Sequence, residues 1–461
     1  MADTQLAVRR ETWSGSDNPL ARAVARPMVK FLAQETASGV LLLVATVVAL
    51  VWVNGPLGES YERLWSTQVS IDIGSGHLLD LTLEQWVNDA LITLFFFVVG
   101  MEIKSELVNG ELSDRRVATL PAVAALGGMV VPALIYLAIN AGSTTASGWG
   151  VPMATDIAFA VGVLALLGPR IPTSLKLFLL TLAIVDDIGA IVVIALFYTA
   201  DIAMGWLALA AALLVLVVLL RRARVWYTPV YVIIGLVIWF ATHESGVHAT
   251  IAGVILGLLT PAVPLLRERA FEQIQNIVTG ETADPAMVRE ANWRMREAVP
   301  LTARLTGLLS PWTSFVIIPI FALANAGVPL SSDALSGAVS SSVTWGVVIG
   351  LVVGKPLGVY LFALVALRAD WARLPAGLRH GHLLGGGAVA GIGFTVALFI
   401  ANLAFTDDAV VDAAVIGILV ASAASSVVGW TVLRSVATVD EVPEPATAIP
   451  VSSGDKASIE A

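Results

Sequence analysis

Two adjacent aspartates, Asp186 and Asp187, lie in Ala183-Ile184-Val185-Asp186-Asp187-Ile188-Gly189, with apolar residues for about two turns on either side. Burying one carboxylate at the centre of a bilayer costs about 2.5–3.5 kcal/mol even on the lenient insertion scale. Two neighbouring carboxylates cannot both be ionised when dry, so at least one must hold a proton, as a proton carrier does. A lysine of comparable depth, Lys355, stands in Gly354-Lys355-Pro356-Leu357-Gly358. It is too deep to snorkel, so it must pair with an acid or lose its proton. A structural salt bridge and a part in proton transport are both open to it, and the two are compatible. A third acid, Asp156, closes Pro152-Met153-Ala154-Thr155-Asp156. The carboxylates of Asp187 and Asp156, the Thr155 hydroxyl and carbonyls freed at a helix break are hard oxygen ligands suited to a small hard cation such as Na+. If Na+ and H+ occupy the same carboxylates each displaces the other, and alternating access converts that competition into exchange.

Residues of this kind need apolar helices around them, and the composition supplies them. Hydrophobic residues make up 57% of the 461, charged residues only 13%, and the mean hydropathy is +0.85. A soluble chain carries about a quarter charged residues. Apolar windows bounded by Gly, Pro or charge mark twelve candidate spans, near 35–53, 84–104, 117–140, 150–168, 173–199, 203–220, 226–242, 246–262, 312–328, 342–367, 384–405 and 410–434. All but two of the 26 Lys and Arg fall in the N-terminal segment, the tail, or the loops and helix ends after even-numbered spans; Arg63 and Lys355 are the exceptions. By the positive-inside rule this supports an even count and cytoplasmic termini. Span 4 contains Pro152, and span 11 contains Gly385-Gly386-Gly387 and then Gly391-Ile392-Gly393-Phe394-Thr395, so both can break. They are an odd number of spans apart and run in opposite directions, as the interrupted helices of an inverted repeat do. The alternative is that these glycines serve only close helix packing.

The expected organisation is a cytoplasmic segment over 1–30, a polytopic domain over 31–435 with a cytoplasmic insert at 267–304, and a disordered tail over 436–461. Residues 69–83 alternate around Gly74-Ser75-Gly76 and read as a β-hairpin on the outer face, with an irregular loop as the alternative. There are no cysteines, which excludes disulfides and thiol chemistry. No cleavage motif follows the first apolar stretch, so a signal peptide is not expected. The net charge of −9 sits largely in loops and tails, and no nucleic-acid-binding stripe occurs.

The motifs, taken in order, resemble the NhaA Na+/H+ antiporters of bacterial inner membranes. The likeness runs from about Phe31 to Arg434. It rests on the runs Phe95 to Lys104, Ala154 to Ala160 and Ala183 to Ala190, and on Ser245-Gly246-Val247-His248-Ala249-Thr250. Ala322-Leu323-Ala324-Asn325-Ala326-Gly327, the Lys355 motif and Gly391 to Thr395 complete it. The resemblance implies an all-α membrane protein of twelve helices, with inverted repeats in helices 3 to 5 and 10 to 12 and crossing of the interrupted helices 4 and 11. It implies electrogenic exchange of Na+ or Li+ for H+, with no cofactor and no enzymatic activity. Asp187 would be the central ion and proton ligand, Asp156 would stabilise the crossing of helices 4 and 11 as well as lying near the Na+, and Thr155 would lie close to the ion. Asp186 would exchange its proton while pairing with Lys355. Pro152, Gly391, Gly393 and Thr395 would mark the breaks. Asp89 matches a family acid lying away from the core site, and the hairpin implies a homodimer. The pH-responsive set is matched in part: Glu102, Glu106 and His248 are present, but 303–312 lacks the Glu and His some members carry. A sodium-coupled solute symporter of similar fold is the main rival. An intramembrane aspartyl protease is disfavoured because no Gly-x-Gly-Asp surrounds these aspartates.

Overall fold

The computed structural model describes residues 37–73, 76–199, 202–223, 225, 228–264, 289 and 298–436. The N-terminal segment 1–30, the hairpin turn at 74–75, most of the 267–304 insert and the tail beyond 436 lie outside the described residues.

The chain is a bundle of helices in which apolar runs end where glycine, proline or a polar cap stops them. α1 (Ala37–Asn54) is followed by Gly55-Pro56 and the short amphipathic α2 (Gly58–Trp65). β1 (Gln68–Ile73) and β2 (Gly76–Thr82) pair antiparallel, with Gln68 opposite Thr82 and an irregularity between Ile71 and Asp72. Thr82 and Gln85 form a capping box that restarts the helical path. A π turn over Trp86–Leu91 leads into α3 (Ile92–Asn109), and Asp114 caps α4 (Arg115–Asn140). A 3-10 stretch, Thr144–Met153, breaks before α5 (Ile157–Leu167). Then come α6 (Thr173–Phe197), α7 (Met204–Arg222), α8 (Thr228–Glu244), α9 (Ala249–Leu259), α10 (Leu301–Asn325) and α11 (Ser332–Ser340). α12 (Ser342–Arg368), α13 (His380–Ala390), α14 (Phe394–Ala404) and α15 (Asp408–Val436) complete the chain.

Among the described residues, seven helices are long and apolar enough to cross a membrane, or nine if each of two bent pairs counts as one span. The bent pairs are Thr144–Met153 with α5, at 44°, and α13 with α14, at 49°. α8 and α9 contain shorter apolar stretches, and α3 carries Glu102, Lys104 and Glu106 in its second half. The protein is a multi-pass membrane protein: only 11% of the most apolar window of α7 is buried, and it turns Val215, Leu216 and Leu219 outward, a surface suited to lipid rather than water. One expected boundary moves. The span expected at 312–328 begins at Leu301, so 301–304, expected in the insert, form its first turn. Pro300 sets that start, Thr302 is buried and its N–H reaches the Pro261 carbonyl at 3.2 Å; the charge of Arg304 is what made the turn read as loop.

Small residues set the closest packing. A Cβ on Gly127 of α4 would meet the Gly358 carbonyl of α12, and a Cβ on Gly358 would meet that of Gly127. Gly253 and Gly257 of α9 lie against Thr93, Phe97 and Gly100 of α3, so the two helices run side by side in the same direction. Inside α12, residues Gly350–Gly354 form a π turn just before Lys355-Pro356, and in α10 Thr313–Ile317 do so just before Pro319. Proline supplies no N–H to an i−4 carbonyl, and a π turn is one way the ladder passes that gap.

Candidate functional site

The breaks in the two bent pairs meet in the core. The Asp156 N–H donates to the Ile392 carbonyl at 2.6 Å, and Thr155 Oγ1 lies 2.9 Å from the Ala390 carbonyl. α5 and α14 both begin here, so two helix N-termini with their unpaired N–H groups converge. The buried Asp156 carboxylate serves both: Oδ1 accepts from Phe159 N at 3.0 Å, and Oδ2 accepts from Thr395 N at 3.2 Å and Thr395 Oγ1 at 2.7 Å. Its charge thus opposes two positive dipole ends. The stretch ending at Met153 and α13, ending at Ala390, bring carbonyls to the same place. One of these, Met153 O, accepts from Lys355 Nζ. The ammonium therefore offsets a negative end as Asp156 offsets the positive ones.

Lys355 is fully buried and Asp186 is 1% exposed; Nζ and Oδ2 are 2.6 Å apart. Thr155 Oγ1 is 2.6 Å from the same Asp186 oxygen. A threonine hydroxyl has one proton for its two neighbours here. It donates to Asp186 when that carboxylate is ionised, and is free to donate to Ala390 O when Asp186 holds the proton and donates in turn. Asp186 Oδ1 is buried and, among the described residues, has no hydrogen-bond partner.

Adjacent residues on a helix point about 100° apart, so Asp187 does not share this pairing. It is 6% exposed, and among the described residues no hydrogen bond or ion pair engages its carboxylate. Asp186, Glu102, Asp156 and Lys355 are within electrostatic reach of it. The arrangement holds one carboxylate fixed in a lysine pair and one unengaged beside it, with a spare oxygen on the first. Such a pair can trade a proton for a small cation.

Of the expected Na+ ligands, Asp187 is the unengaged one. Asp156 is engaged at the helix crossing, and Thr155 faces Asp186. Pro152 lies one residue before the end of the first stretch; Gly391 and Gly393 flank the Ile392 carbonyl. A Cβ at Gly391 would come within 2.5 Å of the Leu351 carbonyl and 2.8 Å of Ser425 Oγ, so only glycine fits between α12 and α15. Glu102 is exposed on α3, while Glu106 Oε2 accepts from Glu111 N at 3.0 Å and holds the following turn. His248, at the start of α9, lies toward the Asp89 end of the parallel α3 and does not join them. Sequence reasoning expects carbonyls freed at a helix break but does not single out those of Met153, Ala390 and Ile392, whose trace is the Pro and Gly that free them. It also misses Ser422, whose Oγ accepts from Phe394 N at 3.4 Å.

The family described as Na+/H+ antiporter 1 matches residues 29–433. A Na(+)/H(+) antiporter NhaA 3 of Frankia alni is 46% identical over 413 residues, 89% of each chain. The NhaA 2 antiporter of Sorangium cellulosum is 47% identical, covering 90% of this chain and 91% of its own. The NhaA antiporter of Rhodopirellula baltica is 48% identical, with 88% and 93% covered.

Proposed function

Because this chain belongs to the Na+/H+ antiporter 1 family, we propose that it exchanges Na+, or Li+, for H+ by alternating access, electrogenically, in the inner membrane. The observation that carries the reading is the fully buried Lys355–Asp186 pair beside the unengaged Asp187, at the meeting point of two broken helices.

In this reading Asp187 binds either H+ or Na+. A dehydrated Na+ needs several oxygens, and the spare Oδ1 of Asp186, on the adjacent residue, is a buried candidate. Drawing Asp186 toward the cation loosens its hold on Lys355, and a lysine without its acid in a dry core gives up its proton. Two protonatable groups thereby couple to one cation, which is the basis of electrogenic exchange. Asp156 holds the crossing, Thr155 reports the state of Asp186, and the half-helices tilt about the breaks to expose Asp187 to either side. Twelve spans with both termini cytoplasmic, inverted repeats in spans 3 to 5 and 10 to 12, and a homodimer joined through residues 69–83 belong to the same proposal. Glu102 and Glu106 would face the cytoplasm and respond to its pH. The charge separation along the sequence and the family supply the support.

The purified protein in liposomes, with internal pH followed by dye while Na+, Li+ and K+ are added in turn, tests the reading. A pH change driven by Na+ or Li+ with no organic solute present is the expected result. No response to any cation overturns it, and a response that appears only with an organic solute establishes the symporter instead.

A further inference from the structure

A cavity of about 330 Å³, whose lining includes Gln85, Asn88, Asp89, His243, His248 and Asn402, lies apart from the exchange centre. It sits at the end of the bundle that carries the two strands, where Trp86 Nε1 donates to the Val69 carbonyl at 3.0 Å. Asp89 Oδ2 and His243 Nδ1 are 3.8 Å apart, with 28% and 24% of their side chains exposed. That is too long for a hydrogen bond and short enough for charge to matter.

The surroundings hold this pair in place. The Asp89 carbonyl accepts from Trp239 Nε1 at 3.0 Å and Thr93 Oγ1 at 2.5 Å. The His243 ring stacks on Trp239 at 6.1 Å and 19°, and Trp239 stacks on Trp86 at 6.1 Å and 26°. The imidazole is therefore kept beside the carboxylate whatever its charge. His248 Nε2 is 2.7 Å from the Tyr198 carbonyl. A carbonyl only accepts, so Nε2 carries the proton that it donates. Asn325 Oδ1 accepts from Asn88 Nδ2 at 3.0 Å and Asn402 Nδ2 at 2.6 Å, while Asn325 Nδ2 donates to Asn88 Oδ1 at 2.9 Å. That network sets the amide orientations and leaves Asn402 Oδ1 as an acceptor. Among the described residues, His243 and His248 are the ionisable groups facing Asp89 from other elements. Glu84 lies on its own element and the exposed Glu244 beside His243. The facing stretch Ile318–Asn325, α9 and α14 carry no ionisable side chain.

We propose that Asp89, with Asn402 Oδ1 and water, binds a sodium-sized cation in this cavity, and that a proton on His243 competes with it. An imidazolium beside Asp89 neutralises the carboxylate; a neutral imidazole leaves it free to draw a hard cation to hard oxygens. The competition at the buried centre then recurs at a second, shallower site. The inference rests on the antiport reading, which makes Na+ and H+ the ions to consider, but its decisive measurement needs no transport.

Histidine-selective NMR on the full chain in lipid nanodiscs, with His243→Gln to assign the signal, gives the titration midpoint of His243 with choline or with Na+ at about 100 mM. Tenfold competition would move that midpoint down by about one pH unit in the wild type. The shift should persist in Asp187→Asn, whose buried centre is disabled, and vanish in Asp89→Asn. A midpoint indifferent to Na+ in the wild type overturns the proposal, as does a shift that survives Asp89→Asn or is lost in Asp187→Asn. In liposomes Asp89→Asn should raise the KM for Na+ about threefold while kcat holds, because only attraction to the cavity is lost. Absent sodium-driven flux in the wild type overturns the antiport reading, and the His243 titration still decides this site.

Discussion

The difference between Asp186 and Asp187 is one of partners, since both are aspartates buried at the same depth. Asp187, with no hydrogen-bond or ion-pair partner among the described residues, is free to change its ligand, so its exchange must be essential. Asp187→Asn keeps the shape and removes ionisation; sodium-driven proton flux should fall to background while the variant remains folded by circular dichroism. Asp186, held by Lys355 and Thr155, is as much a structural group as a proton carrier. Lys355→Ala leaves a buried acid unpaired, and breaking a dry pair costs on the order of 3–5 kcal/mol. Its thermal midpoint and its flux should both drop, while Asp186→Asn combined with Lys355→Gln should regain part of the stability. A double variant whose loss equals the sum of the two single losses would disprove the coupling. This charged centre is legible in the sequence because acids and a lysine in apolar helices are chemically out of place. The division of labour is not. Asp156 reads both as a Na+ ligand and as the carboxylate that could offset the crossing's dipoles, and Thr155 as a Na+ ligand; only the folded chain puts the Thr155 hydroxyl on Asp186 and gives Asp156 its donors from two helix ends.

At the scale of elements, the centre depends on how closely α4 and α12 approach, because Lys355 lies one turn from Gly358 on α12. A methyl group at Gly358 would press on the Gly127 carbonyl, which is backbone and cannot rotate away. Overpacking costs about 1–3 kcal/mol when side chains can adjust and more when backbone must move. Gly358→Ala should therefore lower the thermal midpoint and reduce flux together, since separating the helices shifts Lys355 from Asp186. Gly162→Ala is the control: nothing lies within 4 Å of a Cβ there, so stability should hold or rise slightly, as expected for alanine in a helix. Equal losses in both variants would show that packing at Gly358 does not position the lysine. The breaks themselves are readable from Pro152 and from Gly391 and Gly393, because these residues disrupt helix by known mechanisms. The π turns before Pro319 and Pro356 are not readable, since a proline in a helix can be met by a kink, a water or an extra residue, and packing selects among them.

For the whole molecule, the question is where pH acts. The helical bundle follows from apolar length alone, yet the spacing of its charged groups does not, because distance between spans depends on packing direction. Glu102, Glu106 and His248 read as one set in the sequence, but α9 runs parallel to α3 and puts His248 at the Asp89 end. At about 1.5 Å per residue, Glu102 lies about 20 Å along the helix from Asp89. Glu106 is occupied with the turn at Glu111, and residues 303–312 hold no glutamate or histidine. A steep onset needs several protons lost together, and few groups here are placed to lose them as a unit. Protons competing with Na+ at Asp187 and Asp186 should still suppress exchange at low pH. As pH rises the carboxylates become available and flux increases gradually, over about two pH units. Raising Na+ should shift the profile to lower pH, because mass action lets the cation displace the proton. Proton flux measured from about pH 6 to about pH 9, at limiting and saturating Na+, with Glu102→Gln and Glu106→Gln alongside, checks this. An abrupt onset that ignores Na+ and disappears in either glutamine variant would place the control in a separate cytoplasmic sensor rather than at the exchanging carboxylates.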